Sequence, residues 1–491
     1  MPHLSDRNPI DETQSHQQLL ADLQCNILSS HQRSNTHYFL LSFDGLDSAA
    51  VKHVLRDLAL GSSELPGGLK LESELRSRAK RALLREGRSP ATEWATQQLE
   101  TDPPLFSANL LLSAQCYRDF LQDLKLPPDR AFAAGMLGRD ASPDMFGKLN
   151  DPDFSGRGPR LHALYMVGYD PREIDWYAAH GQIQLYLRNR GVTVREEAGY
   201  ILQHQTRGYP IEPFGYRDGI SQPLFYASEL RARRQSATLP PRGGHGAALA
   251  PLSLVLVRDP NGFNEESHGT YVVYRKLKQN VAAFYEQARR LARTIPPLAD
   301  QTRLTADDVA DRLIGRRVDG QPLDPLPDNN EFSFPNATVC PVHAHVRKVN
   351  PRTYDDIPRI VRRSTVYGPR LQRTTAGRPE LKGGELVPEE GQAAGQALAA
   401  APDGIGLMFL CYQANIATQF EAIQSRWANN LQGGADTVIG QLPPALPGRP
   451  AALNHIGFND SGLVYEHRPV VELLEGEYLF APSLSFFYSK L

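Results

Sequence analysis

An acidic residue framed by glycines is the first feature of this sequence that could do chemistry. The run 213–223 contains Gly215, Asp218 and Gly219, and glycine adopts backbone angles that other residues resist. The run therefore predicts a tight turn that holds the Asp218 carboxylate in a fixed place. A fixed carboxylate suits proton transfer or ligand binding, although an ordinary surface Asp-Gly turn has the same local sequence.

Two histidines among cations form the second feature, in residues 340–352. His343 and His345 precede Arg347 and Arg352, and nearby positive charge lowers the pKa of histidine, which favours the neutral, metal-binding form. The cations also suit a negatively charged ligand. Either histidine, taken alone, is equally compatible with a hydrogen-bonded residue of the core. In an extended segment both rings would lie on one face, so the spacing does not choose between them.

The third feature is a pair of arginines, Arg362 and Arg363, which directly follows two apolar residues, Ile360 and Val361. This order indicates that at least one guanidinium faces inward, where it needs an anionic partner. The partner is either a structural carboxylate or a ligand.

Composition sets broad limits on the function. The chain has 491 residues and a formal net charge of -2, with 41% hydrophobic and 22% charged residues. These values are typical of a soluble globular protein of roughly two to four domains. They give no general attraction to nucleic acid or to an anionic membrane. Four cysteines without a CxxC pair argue against a disulfide framework or a structural zinc site and favour a reducing compartment; they are Cys25, Cys116, Cys340 and Cys411.

The sequence also carries hints about location. Residues 1–17 are polar, and no apolar run is long enough to span a bilayer, so we expect a cytoplasmic protein. The last three residues, Ser489, Lys490 and Leu491, match a peroxisomal address and make that organelle the alternative location. The aromatic residues just before them are equally compatible with a packed terminal element.

Strands and helices alternate along the chain without a glycine-rich nucleotide motif, which favours an α+β fold over a dinucleotide-binding one. The patterns predict strands at 37–43, 108–113, 161–168, 252–258, 269–275 and 407–412. They predict helices at 19–28, 48–60, 280–294 and 416–430. Residues 182–187 fit either element. Residues 235–250 and 377–403 are predicted loops, and the second resembles an insertion.

Together, these stretches resemble the dye-decolorizing peroxidase family. Its GxxDG motif is matched by residues 215–219, and its CPxxAHxRKxNPR pattern by residues 340–352. Weaker matches occur at 269–279, 315–323 and 406–424, and the resemblance runs from about residue 20 to the C-terminus. One departure follows the arginine pair, where Ser364, Thr365 and Val366 replace the Gly and Pro that members commonly carry. It puts the substrate range in question more than haem binding.

The resemblance implies an α+β fold of two ferredoxin-like domains, of the dimeric α+β barrel type. An N-terminal domain, 15–225, would carry the GxxDG motif, and a C-terminal domain, 226–491, would hold most of a b-type haem (iron protoporphyrin IX). A homo-oligomer is compatible with this fold. Neither nucleic acid nor membrane is an expected partner.

The resemblance also implies roles for individual residues. His345 matches the proximal ligand of the haem iron, which leaves the other axial position for hydrogen peroxide. Asp218 matches the acid–base residue and Arg362 the distal arginine that stabilises negative charge. The other nitrogen of His345 should donate to an acceptor, for which Asp436 is the candidate.

Further positions complete the expected haem site. Arg352 resembles a partner of a haem propionate, with Arg347 as the weaker candidate. Leu407 and Phe409 share one face of a strand and resemble the apolar pair that lines the distal pocket.

The resulting hypothesis is a haem peroxidase that reduces hydrogen peroxide and oxidises bulky donors such as dyes and phenolics through a ferryl intermediate. Because such donors do not reach a buried haem, Trp427 or Tyr412 is a candidate relay, although ordinary packing explains both. Two alternatives stay open at this point. They are a non-catalytic haem carrier or sensor on the same fold, and a haem-free α+β binding protein.

Overall fold

Strands and helices alternate along the part of the chain that the computed structural model describes. That part comprises residues 4–5, 9–10, 16–67, 69–84, 106–136, 160–235, 249–297, 303–323, 339, 341–350, 358–382, 385–389, 404–431, 434–441, 454–457 and 464–491. The strands are β1 (Asn35–Ser42), β2 (Ser107–Ser113), β3 (Ala163–Tyr169), β4 (Thr193–Tyr200), β5 (Val257–Arg258), β6 (His268–Gln279), β7 (Val361–Arg362), β8 (Thr365–Tyr367), β9 (Leu381–Lys382), β10 (Glu385–Leu386), β11 (Gly406–Gln413), β12 (Asn454–Gly457), β13 (Val464–His467) and β14 (Val471–Ala481). The α-helices are α1 (Gln17–Asp22), α2 (Ser48–Leu60), α3 (Glu74–Leu84), α4 (Ala114–Phe120), α5 (Arg130–Ala134), α6 (Trp176–Asn189), α7 (Ala227–Gln235), α8 (Val281–Thr294), α9 (Ala306–Ile314), α10 (His345–Val349), α11 (Phe420–Ala422) and α12 (Leu484–Ser489).

Each half of the chain repeats one strand order. In the N-terminal half the order across the sheet is β4, β1, β3, β2, with α2 following β1 and α6 following β3. In the C-terminal half the order is β14, β6, β11, β8, with α8 following β6 and α11 following β11. Both halves therefore have the antiparallel βαββαβ arrangement of a ferredoxin-like unit. The α+β fold class predicted from the sequence is confirmed.

The two sets of strands join into one closed barrel. β14 pairs with β2 at two residue pairs, and β4 pairs with β8 at Tyr200 and Val366. β6 pairs with both β14 and β11, which completes the ring. Because the sheet runs through both halves, its pairing does not mark where one domain ends, and the boundary near residue 226 stays a prediction.

Helix α8 shows why the local sequence folds as it does. Asn280 begins the helix, because its side chain accepts the backbone N–H of Ala283. Its buried residues recur at three- and four-residue spacing, so one face packs on the core; they include Val281, Phe284, Tyr285, Ala288 and Leu291. The predicted helices at 48–60 and 280–294 are confirmed, and residues 182–187 lie inside α6.

Two sequence predictions were wrong. The helix predicted at 19–28 ends at Asp22, because the Gln24 side chain donates to the backbone of Leu110 and Pro482 while Asn26 takes a positive φ of 68°. The strand predicted at 252–258 is a 3-10 turn, Leu252–Leu254, followed by only two strand residues. A short apolar run is buried in either form, so its hydrophobicity did not decide the shape.

The predicted insertion at 377–403 is more ordered than a loop in its described part. β9 and β10 pair as a short antiparallel hairpin, and Leu371 bridges to Pro388 beside it. Residues 390–403 lie outside the described residues, as do 236–248 of the other predicted loop.

Other features bear on the expectations from composition. Cys25, Cys116 and Cys411 are buried free thiols, and Cys340 lies outside the described residues. Within the described ranges, every helix is too short or too polar to cross a bilayer. At the C-terminus, α12 buries Phe486 and Phe487 in the core.

Gly406 offers a test of how tightly β11 lies against β6. A Cβ added there would lie 1.8 Å from the carbonyl oxygen of Leu277, so we expect Gly406→Ala to lower the free energy of unfolding by about 1–3 kcal/mol. Gly181, a helical glycine of α6 with nothing within 4 Å of an added Cβ, is the matched control. Gly181→Ala should raise that free energy by about 0.5–1 kcal/mol. Urea unfolding measures both, and equal effects would contradict the close approach.

Candidate active site

A cavity of about 520 Å³ gathers residues that are far apart in the sequence. Asp218, His345, Arg362, Leu407 and Phe409 all line it. They come from a turn, a helix and two strands, so only the fold brings them together. Most of the residues that line the cavity come from after residue 226, and the main N-terminal contribution is the turn around Asp218.

His345 stands at the start of α10 with its ring fixed by a buried carboxylate. Its Nδ1 donates to Oδ2 of Asp436 at 2.9 Å. The other oxygen of Asp436 accepts the backbone N–H groups of Val438 and Ile439 at 2.7 and 3.0 Å. Because a carboxylate only accepts, the proton lies on Nδ1, and Nε2 keeps a lone pair. Among the described residues, the His345 ring makes no other hydrogen bond, so Nε2 is left for a ligand.

Asp436 is suited to hold that ring because it stays ionised. Its side chain is fully buried. Burial alone would raise its pKa, but the His345 ring and the backbone N–H groups outweigh burial and leave the pKa below its usual value. The contact expected from the sequence between His345 and Asp436 is present.

The neighbouring histidine has a different environment. His343 is 1% exposed, does not line the cavity, and has a pKa lowered to about 3, chiefly by burial. The chain at 342–343 is a turn and then enters α10, so the two rings do not share the face of an extended segment. The fold thus distinguishes two histidines that their spacing did not.

The turn that carries Asp218 has the shape that its glycines predicted. Gly215 and Gly219 have φ values of 101° and 77°, which an L-residue rarely adopts. The backbone N–H of Asp218 donates to Pro210, and its Oδ1 accepts the N–H of Gly219 at 2.6 Å. Oδ2 of Asp218 has no hydrogen-bond partner in the described part of the chain. One carboxylate oxygen is therefore fixed and the other is available to a ligand.

Glu212 anchors this turn and was missed by the sequence reasoning. Its carboxylate accepts the N–H groups of Phe214 and Tyr216 at 3.0 and 2.9 Å, and the Gln279 amide donates to it at 3.0 Å. Burial raises its pKa. The available signal was an acidic residue three positions before the first glycine, in the range where a side chain reaches the backbone of its own turn.

Arg373, just before the predicted insertion, and Arg378, at its start, also brace the turn. Arg373 donates to the carbonyl oxygens of Gly377 and Pro213 at 3.0 and 3.3 Å. Arg378 donates to the Tyr216 hydroxyl at 3.1 Å. This segment therefore supports the site from outside the cavity. No local sequence pattern predicted this role.

The two arginines of the predicted pair point different ways. Arg363 donates to the backbone carbonyls of Asn26 and Ile27, at 2.9 and 3.2 Å. Arg362 is held by its backbone, since its N–H donates to the Gln222 side chain and its carbonyl accepts from it, both at 3.1 Å. The Arg362 guanidinium lines the cavity and makes no hydrogen bond or ion pair with any described residue. The positive charge of this guanidinium is therefore available to an anionic ligand.

β11 supplies the apolar wall by simple alternation. Leu407 and Phe409 line the cavity, whereas Met408 and Leu410 face the opposite way and are fully buried in the core. The Phe420 ring, 6.1 Å from that of Phe409, extends the wall. Leu407 and Phe409 thus lie together on the cavity side, as their spacing predicted.

Arginines line part of the cavity, but Arg347, one of the two propionate partners expected from the resemblance, is not among them. Arg275, Arg316 and Arg317 line it, and burial lowers the pKa of Arg275 to about 10. Arg347 lies on α10 but does not line the cavity, and Arg352 lies outside the described residues. Arg316 and Arg317 lie in the weak family match at 315–323, and no other sequence pattern marked them as residues of the site.

Comparison with known proteins gives a consistent result. The sequence model described as "Dyp-type peroxidase, C-terminal" matches residues 250–440. The multifunctional dye peroxidase DyP2 of Amycolatopsis sp. is 36% identical over 505 residues, which cover 96% of each chain. Its solved structure has a TM-score of 0.69 and covers 98% of both chains. A DyP-type peroxidase of Anabaena sp. has a TM-score of 0.73 at 27% identity, covering 100% of this chain and 99% of the other.

The anchoring by Glu212 predicts a measurable loss on its removal. In Glu212→Ala, the N–H groups of Phe214 and Tyr216 lose their acceptor, so we expect the free energy of unfolding to fall by about 1–3 kcal/mol. Glu64→Ala is the control, because Glu64 forms a surface pair with Arg190, and its removal should leave the urea midpoint nearly unchanged. Equal midpoints for the two variants would show that the carboxylate does not anchor the turn.

Proposed function

The chain belongs to the dye-decolorizing peroxidase family and is a haem-dependent peroxidase, and we propose that His345, Asp218 and Arg362 are the residues that carry its reaction. The observation that supports these roles is that all three side chains line one cavity and each has a ligand-binding atom without a hydrogen-bond partner among the described residues. Nε2 of His345, Oδ2 of Asp218 and the guanidinium of Arg362 make no hydrogen bond with a described residue. Haem supplies the iron that binds hydrogen peroxide and exchanges electrons with the donor.

The cavity suits haem in both of the features that the group requires. A porphyrin is a flat apolar ring with two carboxylates, so it needs apolar walls and positive charge. The walls include Phe214, Leu277, Ile314, Leu407, Phe409, Phe420, Ile423 and Val438. Arg316 and Arg317 place positive charge at the same cavity, and we assign them as candidates to bind the propionates, in addition to the Arg352 that the resemblance implies.

On the proximal side, His345 would bind the iron through Nε2. The Asp436 carboxylate fixes the tautomer and the orientation of the ring, and it makes the imidazole a stronger electron donor. Because Asp436 is itself held by two backbone N–H groups, the ring does not need to reorganise when the ligand bond forms.

On the distal side, Asp218 would move the proton that cleavage of the O–O bond requires. Its Oδ2 would accept the proton of the inner peroxide oxygen and deliver it to the outer oxygen, which leaves as water. Oδ1 stays bound to the Gly219 N–H during this transfer, so the carboxylate keeps its orientation. Arg362 would stabilise the negative charge that develops on the outer oxygen without giving up its own proton.

Leu407 and Phe409 would keep water away from this exchange. Both lie on the cavity side of β11, where exclusion of water strengthens the electrostatic effect of Arg362. They would also limit the size of any donor that approaches the peroxide side.

The donors we propose are dyes and phenolics, which are too bulky for a closed pocket. Of the two aromatic relays considered, Tyr412 is fully buried and Trp427 is half-buried. Trp427 lies on a π-helix, Ile423–Ala428, whose Ile423 and Gln424 line the cavity. Trp427 is therefore the better candidate to pass an electron from a donor at the surface.

The ligand role of His345 predicts a specific rescue. His345→Gly should lower haem affinity by at least about tenfold, and added imidazole should restore both the haem content and the Soret band. His343→Gln is the control, because that buried ring does not line the cavity, and it should keep its haem without imidazole. A His345→Gly protein with normal haem and no response to imidazole would refute the assignment.

The distal roles are tested by the rate of reaction with hydrogen peroxide in stopped flow. We expect Asp218→Asn to lower the rate constant by about 10²–10⁴ and Arg362→Leu by about 10²–10³, with haem still bound. Asp319→Asn is the matched control, because that carboxylate does not line the cavity and an amide oxygen still accepts the Gln321 N–H. Unchanged rates in both distal variants would remove these roles while leaving the peroxidase activity itself in place.

A further inference from the structure

Two histidines and a glutamate converge in the N-terminal half, away from the haem cavity. His37 lies on β1, Glu196 on β4 and His180 on α6. One ligand atom from each residue lies within 4.8 Å of the others, and none of the three residues lines the cavity. Within the described ranges, no other three histidine, cysteine or acidic side chains are grouped in this way.

The sheet register places two of these side chains on one face. Phe39 pairs with Glu196 and His37 with Ala198, so His37 and Glu196 are diagonal neighbours. Helix α6 packs on that face through Ala179 and Ile183, which are buried, and this packing carries His180 to the same point. Rigid elements therefore bring all three donors together.

The donor atoms are already aimed at a common centre. Nε2 of His37 lies 2.7 Å and Nε2 of His180 lies 2.5 Å from the same oxygen, Oε2 of Glu196. The Gln184 amide donates to the other oxygen at 2.8 Å, which fixes the carboxylate with Oε2 toward the rings.

We propose that His37, His180 and Glu196 bind a divalent cation of the zinc class, with solvent as the remaining ligand. Two imidazoles and one carboxylate are a donor set that Zn²⁺ favours, whereas Ca²⁺ and Mg²⁺ favour oxygen alone. Ligand atoms around tetrahedral zinc lie about 3–3.5 Å apart, given metal–ligand bonds of about 2.0–2.2 Å. The present spacing needs only small side-chain rotations, with each ring then carrying its proton on Nδ1.

The three side chains are partly exposed to solvent and lie next to an aromatic pair. The side chains of His37, His180 and Glu196 are 12%, 23% and 23% exposed, so an ion and a water molecule have access. The Trp176 ring lies 5.3 Å from that of His37 and stacks on Tyr169 at 4.0 Å. This aromatic wall limits how far either imidazole turns away from the site.

The test is a zinc titration of the full-length haem protein after treatment with EDTA and dialysis. In isothermal titration calorimetry, we expect the wild type to bind one Zn²⁺ at a site that is weakened at least about tenfold in His180→Ala and in Glu196→Gln. His53→Ala is the matched control, because it removes a histidine that is 59% exposed on another helix, and it should bind as the wild type does. The Soret band and the far-ultraviolet circular dichroism report whether each variant is folded.

X-ray absorption at the zinc edge gives a second readout on the unmodified protein. The expected spectrum shows nitrogen and oxygen neighbours at about 2.0–2.2 Å, including imidazole, with no sulfur. A wild type that binds no zinc, or binds it no more tightly than His180→Ala and Glu196→Gln do, would overturn the proposal. The three residues would then form a hydrogen-bonded cluster alone. Neither result bears on the peroxidase activity.

Discussion

The two hydrogen bonds between the Gln222 side chain and the backbone of Arg362 hold the distal side of the cavity together. Gln222 follows the Asp218 turn directly, whereas Arg362 lies in β7 beside β11. Among the described residues, the strands of the two halves pair along short seams, with two residue pairs between β14 and β2 and one between β4 and β8. These two hydrogen bonds therefore link the Asp218 turn directly to the strand of Arg362, in addition to the sheet pairing and to the contacts that Gln279, Arg373 and Arg378 make with the turn.

The proximal side uses the same principle with different groups. Asp436 is bound to the His345 ring on one oxygen and to two backbone N–H groups on the other. On both sides of the cavity, the side chain that would contact the ligand, His345 or Asp218, has one polar atom hydrogen-bonded to the protein and a second polar atom that is available to the ligand. Such preorganisation removes the reorganisation that a reacting group would otherwise need, and it explains why so many supporting residues surround so few reactive ones.

The sequence was informative where a local pattern decides the outcome. Helix α8 follows from its spacing of apolar residues and the Asn280 cap, and the Asp218 turn follows from glycines that the backbone requires. Arg373 and Arg378 were missed because they donate to a backbone carbonyl and a hydroxyl that are 160 and 162 positions away in the sequence. Glu212 was missed although its partners are local, since it accepts the N–H groups two and four positions further along the chain. The strand predicted at 252–258 failed for a related reason, since an apolar run records that a segment is buried but not its shape.

The alternation along β11 also keeps an oxidisable side chain away from the cavity. Met408 is fully buried on the face away from the cavity, between Leu407 and Phe409, which line it. A slip of β11 by one residue would exchange these faces and would bring a thioether, which peroxide converts to a sulfoxide, to the peroxide side. The close fit of Gly406 against the Leu277 carbonyl opposes that slip. Strand register in this barrel thus determines which side chains face peroxide as well as the shape of the pocket.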